Sequence, residues 1–489
     1  MKTTFCVGVI CKYLLGSLPR GRRHRILVCA PTNKAISHIA KRFLAAIRED
    51  SQCLNVIALG NEDKLGVDSD SRPFPFNIRS VYLYSWVKGV LDEYNSLRFE
   101  SKSMKFESKF RHAVDQADVQ GKIHRLDLLR KRLRSSLGAL PSELNEAIDS
   151  VYDALEKDQT HPDTVLFDAK IESVTRIIMA MDQSQIRKSL VNSASVIFST
   201  LSAARSSAAM AAEAIDCLIV DEAAAATEPA LYTPFHLQPN KMLVVGDPKQ
   251  LPAIVTSPIA VRCGLSESLH ERLMERLRCR EFLMLDTQYR MKPDVSLFPS
   301  CAFYNGMLKN GGNVMAHDYG AGISTLLDGR PYTFLQVEGE AEVSVATKSS
   351  CNSREADVVL QLLNEMRNRF VGCPWESEDY LRVITFYKEQ VSLIRSHLKR
   401  AGFQKVSVGT VDSTQGCEAD LVILSFVKGS ESAGFLKDDR RINVALTRAR
   451  HQLICVGNVH AMGYLEERDA STLQWMSFDA QERGVVANT

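Results

Sequence analysis

Two apolar runs close on charge. Cys217-Leu218-Ile219-Val220 runs into Asp221-Glu222, and Met242-Leu243-Val244-Val245 runs into Gly246-Asp247-Pro248-Lys249-Gln250-Leu251-Pro252. Short apolar runs bounded by turn residues read as buried strands of a parallel sheet. Their polar ends then lie at the carboxyl edge, where open α/β sheets bind ligands. Two adjacent carboxylates delivered there suit a magnesium–nucleotide site. The first can hold the metal, and the second can orient or deprotonate the attacking water. Gln250, uncharged, can touch a terminal phosphate and sense its loss. One such strand is equally compatible with an ordinary core strand that has a polar end; two in series narrow the reading.

The chain has 489 residues, too many for one ordinary core, which predicts two or three domains. Its formal net charge of +2 neither demands nor excludes nucleic acid, so a basic binding surface has to be local. None of the 12 cysteines forms a Cys-x-x-Cys pair, which removes a zinc ribbon or a dithiol redox motif from consideration. Cys29, Cys217 and Cys455 sit inside apolar runs as small hydrophobes, a usage that fits a reducing intracellular compartment, nucleus or cytoplasm. The start, Met1 to Ile10, has the look of a signal peptide, but Lys12 interrupts it and no small-x-small site follows, so secretion is not expected. No apolar run approaches the roughly 20 residues that span a bilayer, and no membrane association is expected.

Along the chain, Arg25-Ile26-Leu27-Val28-Cys29-Ala30 predicts a buried strand. Pro31-Thr32-Asn33 breaks it, and Ala35, Ile36, Ile39, Ala40 and Phe43 then recur at helical spacing. From about 79 to 193 the character becomes helical and charged, with Leu126, Leu129, Leu133, Leu137 and Leu140 on one stripe. Between Arg98 and Arg134 basic residues outnumber acidic ones by roughly two to one; a solvated helical face accounts for this, and a nucleic-acid contact is the alternative. Strands resume at Val196-Ile197-Phe198. A second series is expected at Phe282–Leu285, Phe334–Val337, Val383–Phe386, Val406–Thr410, Leu421–Leu424 and Leu453–Val456, with a capping box at Asn352-Ser353-Arg354-Glu355. Alternating strands and helices predict a second doubly wound α/β domain.

Six motifs, in order, complete the pattern: Ala30-Pro31-Thr32-Asn33, Asp221-Glu222-Ala223-Ala224, Gly246 to Pro252, Gln288-Tyr289-Arg290-Met291, Thr410 to Asp420 (with Gln415-Gly416-Cys417-Glu418), and Asn443-Val444-Ala445-Leu446-Thr447-Arg448-Ala449-Arg450. Together they resemble superfamily 1 helicases, in the branch containing the nonsense-mediated decay helicase, senataxin and the immunoglobulin-mu-binding helicase. Each motif alone is weak; the ordered set is specific. The resemblance implies two tandem RecA-like parallel-sheet domains, 1–278 with a helical insertion at about 79–193, and 279–489. It implies an ATP-dependent helicase or translocase moving 5′-to-3′ on single-stranded RNA or DNA, as a monomer, with ATP and Mg²⁺.

Residue by residue, the resemblance gives Asp221 the metal and Glu222 the hydrolytic water. Gln250, Arg290 and Arg448 receive the γ-phosphate, Tyr289 the adenine ring and Glu418 the ribose. Outside the pattern Arg448 and Arg450 are ordinary helix-face cations, and Tyr289 an ordinary packed tyrosine. Thr32, Asn33, Ser199, Thr200, Thr385, Tyr387, Lys388 and Thr410 fall where the family contacts a single strand, with Tyr387 stacking on a base; hydroxyls at strand ends are equally routine caps.

The start departs from the pattern. A phosphate loop reads Gly-x-x-x-x-Gly-Lys-Thr, and Met1-Lys2-Thr3 matches only its end. Lys2 would bind phosphate and Thr3 phosphate and metal, yet a lysine so near a terminus is expected to be poorly held. Two readings stay open: a fragment of an active helicase, or a truncated remnant that binds nucleic acid or protein without hydrolysis.

Overall fold

A computed structural model of the chain describes residues 2–15, 24–47, 56–65, 82, 146–151, 173, 176, 188, 191–192, 194–206, 214–276, 282–345, 347–370, 372–427, 434–463 and 471–488. The leucine stripe from Leu126 to Leu140, the basic stretch from Arg98 to Arg134 and most of the expected insertion lie outside the described residues. The chain divides into two units. One comprises Lys2–Gly246 and Val255–His270, the other Asp247–Ile254 and Glu271–Thr489.

The first unit is built on five strands: β1 (Ile26–Ala30), β2 (Val56–Leu59), β3 (Val196–Thr200), β4 (Cys217–Val220) and β5 (Lys241–Val244). They lie in the order β2-β3-β1-β4-β5, every pair parallel. Strands β1 to β4 are buried throughout, which is why they read as unbroken apolar runs rather than alternating ones. The helices Lys2–Leu15 and Asn33–Ala46 share one core with the sheet, through Cys6, Val7 and Ile10 from the first and Ile36, Ile39, Ala40 and Phe43 from the second. Phe43 meets Phe198 with ring centroids 5.6 Å apart.

The second unit carries a six-stranded parallel sheet between two apolar clusters. After a short parallel pair, β6 (Thr287–Gln288) and β7 (Lys309–Asn310), come β8 (Tyr332–Gln336), the minor β9 (Glu342–Val343) and β10 (Ser350–Cys351), then β11 (Leu381–Thr385), β12 (Ser407–Thr410), β13 (Ala419–Ser425), β14 (Ala449–Gly457) and β15 (Val486–Asn488). The sheet order is β12-β11-β13-β14-β8-β15. The α/β parallel-sheet expectation holds in both units. One expected strand does not form among the described residues: Phe282–Leu285 has no ladder partner there, and Leu283 is 76 % exposed. Four apolar residues satisfy the pattern of a buried strand, but only Thr287 and Gln288 have a neighbouring strand to pair with.

The capping box forms by half. Asn352 caps the helix Ser353–Arg369 by accepting from the Glu355 amide at 3.2 Å, but its own amide donates to Gln390 Oε1 at 2.8 Å. Glu355 is instead fully buried. One of its oxygens accepts from Ser425 Oγ at 2.7 Å and from the amide of Val427 at 2.9 Å; the other has no partner. Val427 needs that anchor, since a β-branched residue at φ 62° is strained. Burial pushes the Glu355 carboxyl up to about 7, against the pull of the Ser425 and Val427 hydrogen bonds. A raised acid pKa means the folded state holds the proton more tightly. The resulting stability is complete below the unfolded value, near 4.5, and is lost as pH rises through about 7. In urea titrations the wild type should lose about 3 kcal/mol relative to Glu355→Gln between pH 4.5 and 8. Parallel pH profiles for the two proteins would contradict this.

Candidate nucleotide site

In the first unit the chain brings together residues more than 200 positions apart. Strand β4 ends at Val220, so Asp221 and Glu222 emerge at the carboxyl edge of the sheet. Asp221 is 2 % exposed, with its amide on the Cys29 carbonyl at 2.9 Å. Glu222 takes a left-handed conformation, φ 53° and ψ 37°, and donates its amide to Asp221 Oδ1 at 3.0 Å. Gly246 lets the next strand end come close: a Cβ there would lie 2.8 Å from the Ala224 amide nitrogen.

The helix Lys2–Leu15 docks its first turn on these acids. Thr3 Oγ1 donates to Asp221 Oδ2 at 3.0 Å, and Lys2 Nζ pairs with Glu222 Oε2 at 2.9 Å. Lys2 is therefore held, contrary to expectation, because Cys6, Val7 and Ile10 anchor the helix in the core directly behind it. Burial raises the Asp221 carboxyl to about 6, Glu222 adds to the rise, and Lys2 and Thr3 oppose it. A buried carboxylate raised in this way, next to a hydroxyl oxygen, is a good fit for a hard oxygen-seeking cation such as Mg²⁺.

The second unit assembles its own charged cluster. Arg290 Nε donates to Glu418 Oε2 at 2.6 Å, and its Nη1 to the Thr447 carbonyl at 3.0 Å. Arg450 reaches the other Glu418 oxygen at 3.1 Å and Asp420 at 2.8 Å. Burial alone would raise Glu418, but Arg290 and Arg450 outweigh it and bring its pKa down to about 2. Tyr289, beside Arg290, is 56 % exposed. Arg448 behaves differently. It is 2 % exposed, and its guanidinium donates to the carbonyls of Val444 and Cys417 and to Thr447 Oγ1 at 2.7, 3.1 and 2.9 Å.

Gln250 belongs to the second unit. Its Nε2 donates to Asp247 Oδ2 at 2.8 Å, the oxygen that also accepts from Tyr304 at 2.7 Å. Asn443 donates to Tyr304 Oη at 2.9 Å and to the Lys249 carbonyl at 2.7 Å. Arg450, Asp420, Tyr304 and Asn443 were missing from the sequence-derived site. Arg450 had a signal, its place two residues past Arg448; Tyr304 had none.

Among the strand-contact candidates, Thr32, Asn33, Lys388 and Thr410 reach the surface, while Ser199, Thr200, Thr385 and Tyr387 are buried. Thr32 caps the helix Asn33–Ala46 by accepting from the Ala35 amide, and Thr200 accepts from Ala203. The expectation that Tyr387 offers its ring to a base is corrected: the ring packs in the core cluster with Phe386 and Val411.

Residues 1–258 and 265–460 each match a family described as AAA domain. Helicase sen1 of Schizosaccharomyces pombe is 27 % identical over 90 % of this chain and 26 % of its own length. The regulator of nonsense transcripts 1 homolog of Drosophila melanogaster is 37 % identical over 49 % of this chain and 20 % of its own. The chain belongs to superfamily 1 helicases, in the branch of Sen1, senataxin and regulator of nonsense transcripts 1. Human probable helicase senataxin is 25 % identical over 96 % of this chain and 17 % of its own length, so the chain spans only a fraction of the curated relatives it matches. A solved arterivirus helicase, nonstructural protein 10, aligns with 88 % of this chain and 59 % of its own at 11 % identity, with a TM-score of 0.30, too low to bear on the fold. Among the described residues, no helix is long and apolar enough to cross a membrane.

Proposed function

We propose that this chain hydrolyses ATP and couples hydrolysis to 5′-to-3′ movement along single-stranded RNA or DNA. The observation that supports this most is the convergence of Lys2 with Glu222 and of Thr3 with Asp221 across the whole first unit. A lysine and a hydroxyl at a helix start, facing two carboxylates at a strand end, form the chemical set that phosphoryl transfer to water requires. Asp221 and Thr3 would hold Mg²⁺, which would supply charge neutralisation to the phosphates. Lys2 leaves Glu222 for phosphate, which frees the Glu222 carboxylate to orient and deprotonate water. Glu418 takes the ribose and Tyr289 the base. Gln250 reads the γ-phosphate, and Arg290 and Arg448 neutralise charge that develops on it. Thr32, Asn33, Lys388 and Thr410 contact the strand backbone without reading sequence.

The test is ATP turnover with and without poly-U or single-stranded DNA, in this chain and in one extended by Gly-x-x-x-x-Gly ahead of Lys2. Strand-stimulated turnover in the extended form supports the reading. Strand binding without turnover in either form would leave a binding module.

A further inference from the structure

We infer that Gly311 is a positioning residue for nucleotide binding, because it sets the ring of Tyr289 as a platform for the base. This rests on the reading of Tyr289 as the base-stacking residue. The backbone on both sides of Tyr289 is fixed by Gln288. The buried Gln288 amide group donates to the Met291 carbonyl at 2.7 Å and to Asn310 Oδ1 at 2.6 Å, and it accepts from the amides of Arg290 and Met291 at 2.9 and 2.8 Å. Asn313 Nδ2 holds the Tyr289 carbonyl at 3.1 Å. What remains free is the rotation of the tyrosine ring.

Gly311 governs that rotation. Its amide donates to the Gln288 carbonyl at 2.8 Å, which brings its Cα against the ring. A Cβ at Gly311 would lie 2.3 Å from both Cδ1 and Cε1 of Tyr289. The glycine is not there for its backbone freedom, since φ −72° and ψ 161° suit any residue. It is there for the close approach. A side chain at 311 has to displace the ring, and because the ring is largely exposed it can swing away at little cost to folding. Only the Gln288 carbonyl, 3.1 Å from such a Cβ, must yield slightly. Gly312 offers a built-in control, because nothing lies within 4 Å of a Cβ there.

The experiment is calorimetric binding of ATPγS with Mg²⁺, and of inorganic tripolyphosphate, to the whole chain and to Gly311→Val, Gly312→Ala, Tyr289→Ala and the Gly311→Val/Tyr289→Ala double variant. Aromatic–base stacking predicts that Gly311→Val and Tyr289→Ala each weaken ATPγS by about 5- to 150-fold. The double variant should be no weaker than Tyr289→Ala alone, Gly312→Ala should match the wild type, and tripolyphosphate, which has no base, should bind all five proteins alike. Full ATPγS affinity in Gly311→Val beside a weakened Tyr289→Ala overturns the inference. So does equal loss of ATPγS and tripolyphosphate, which would mark a general structural defect. An unaffected Tyr289→Ala, or a wild type that binds neither ligand, overturns the nucleotide reading itself and this inference with it.

Discussion

Glu222→Gln should abolish strand-stimulated ATP hydrolysis, with kcat down by about 10²–10⁴ and the KM for ATP nearly unchanged. The amide keeps the volume of the carboxylate but cannot accept the proton of water. In the structure Glu222 follows the end of β4 in a left-handed conformation, and its carboxylate pairs with Lys2. Asp221 is not equivalent. It is almost sealed from solvent and hydrogen-bonded to Thr3, so Asp221→Asn should raise the Mg²⁺ concentration that turnover requires. The check is steady-state turnover at saturating poly-U over a range of ATP and Mg²⁺. Undiminished turnover in Glu222→Gln would mean that another group serves as the base.

The second large effect is expected at Arg290. Removal of an arginine that neutralises a transferring phosphoryl group costs about 10³–10⁵ in kcat, and Arg290→Lys should recover little of it, since an ammonium lacks the planar fork. Arg290 is part-exposed and pairs with Glu418. Glu418 has a second cation, Arg450, so Arg290→Ala leaves no unpaired buried acid, and the thermal midpoint should move little. A kcat within tenfold of wild type would remove Arg290 from the chemistry. Arg448 makes a less decisive target, because its guanidinium ties Val444, Cys417 and Thr447 together and its loss would loosen the unit as well as the site.

The strands and their carboxyl ends were legible because a parallel strand buried on both faces must be apolar along its whole length. Cys217–Val220, Leu421–Leu424 and Leu453–Val456 announce themselves for that reason. Phe282–Leu285 shows the limit of the same signal: composition cannot say whether a neighbouring strand is present to pair with it. Site residues were legible where the motif order named them. The partnerships that hold them were not, since Lys2–Glu222, Thr3–Asp221 and Arg290–Glu418 join positions separated by 220, 218 and 128 residues. The place of Gln250 was hidden too. It follows a first-unit strand in sequence, but Asp247–Ile254 packs as part of the second unit, through Tyr304, which lies in no motif, and Asn443, which opens the sixth motif but had no role assigned to it. Glu355 looked like a helix cap and became a buried acid, because Gln390 took the amide it would have served.

The proposed function requires Asp221, Glu222, Arg290 and Arg448 to act on one triphosphate. A crystal structure with ADP, Mg²⁺, aluminium fluoride and poly-U tests it directly. Asp221 and Thr3 should lie at the metal, Glu222 on the attacking water, and Arg290 and Arg448 on the fluoride. A fluoride cluster surrounded by first-unit residues alone, with both guanidinium groups still on their present partners, would contradict it.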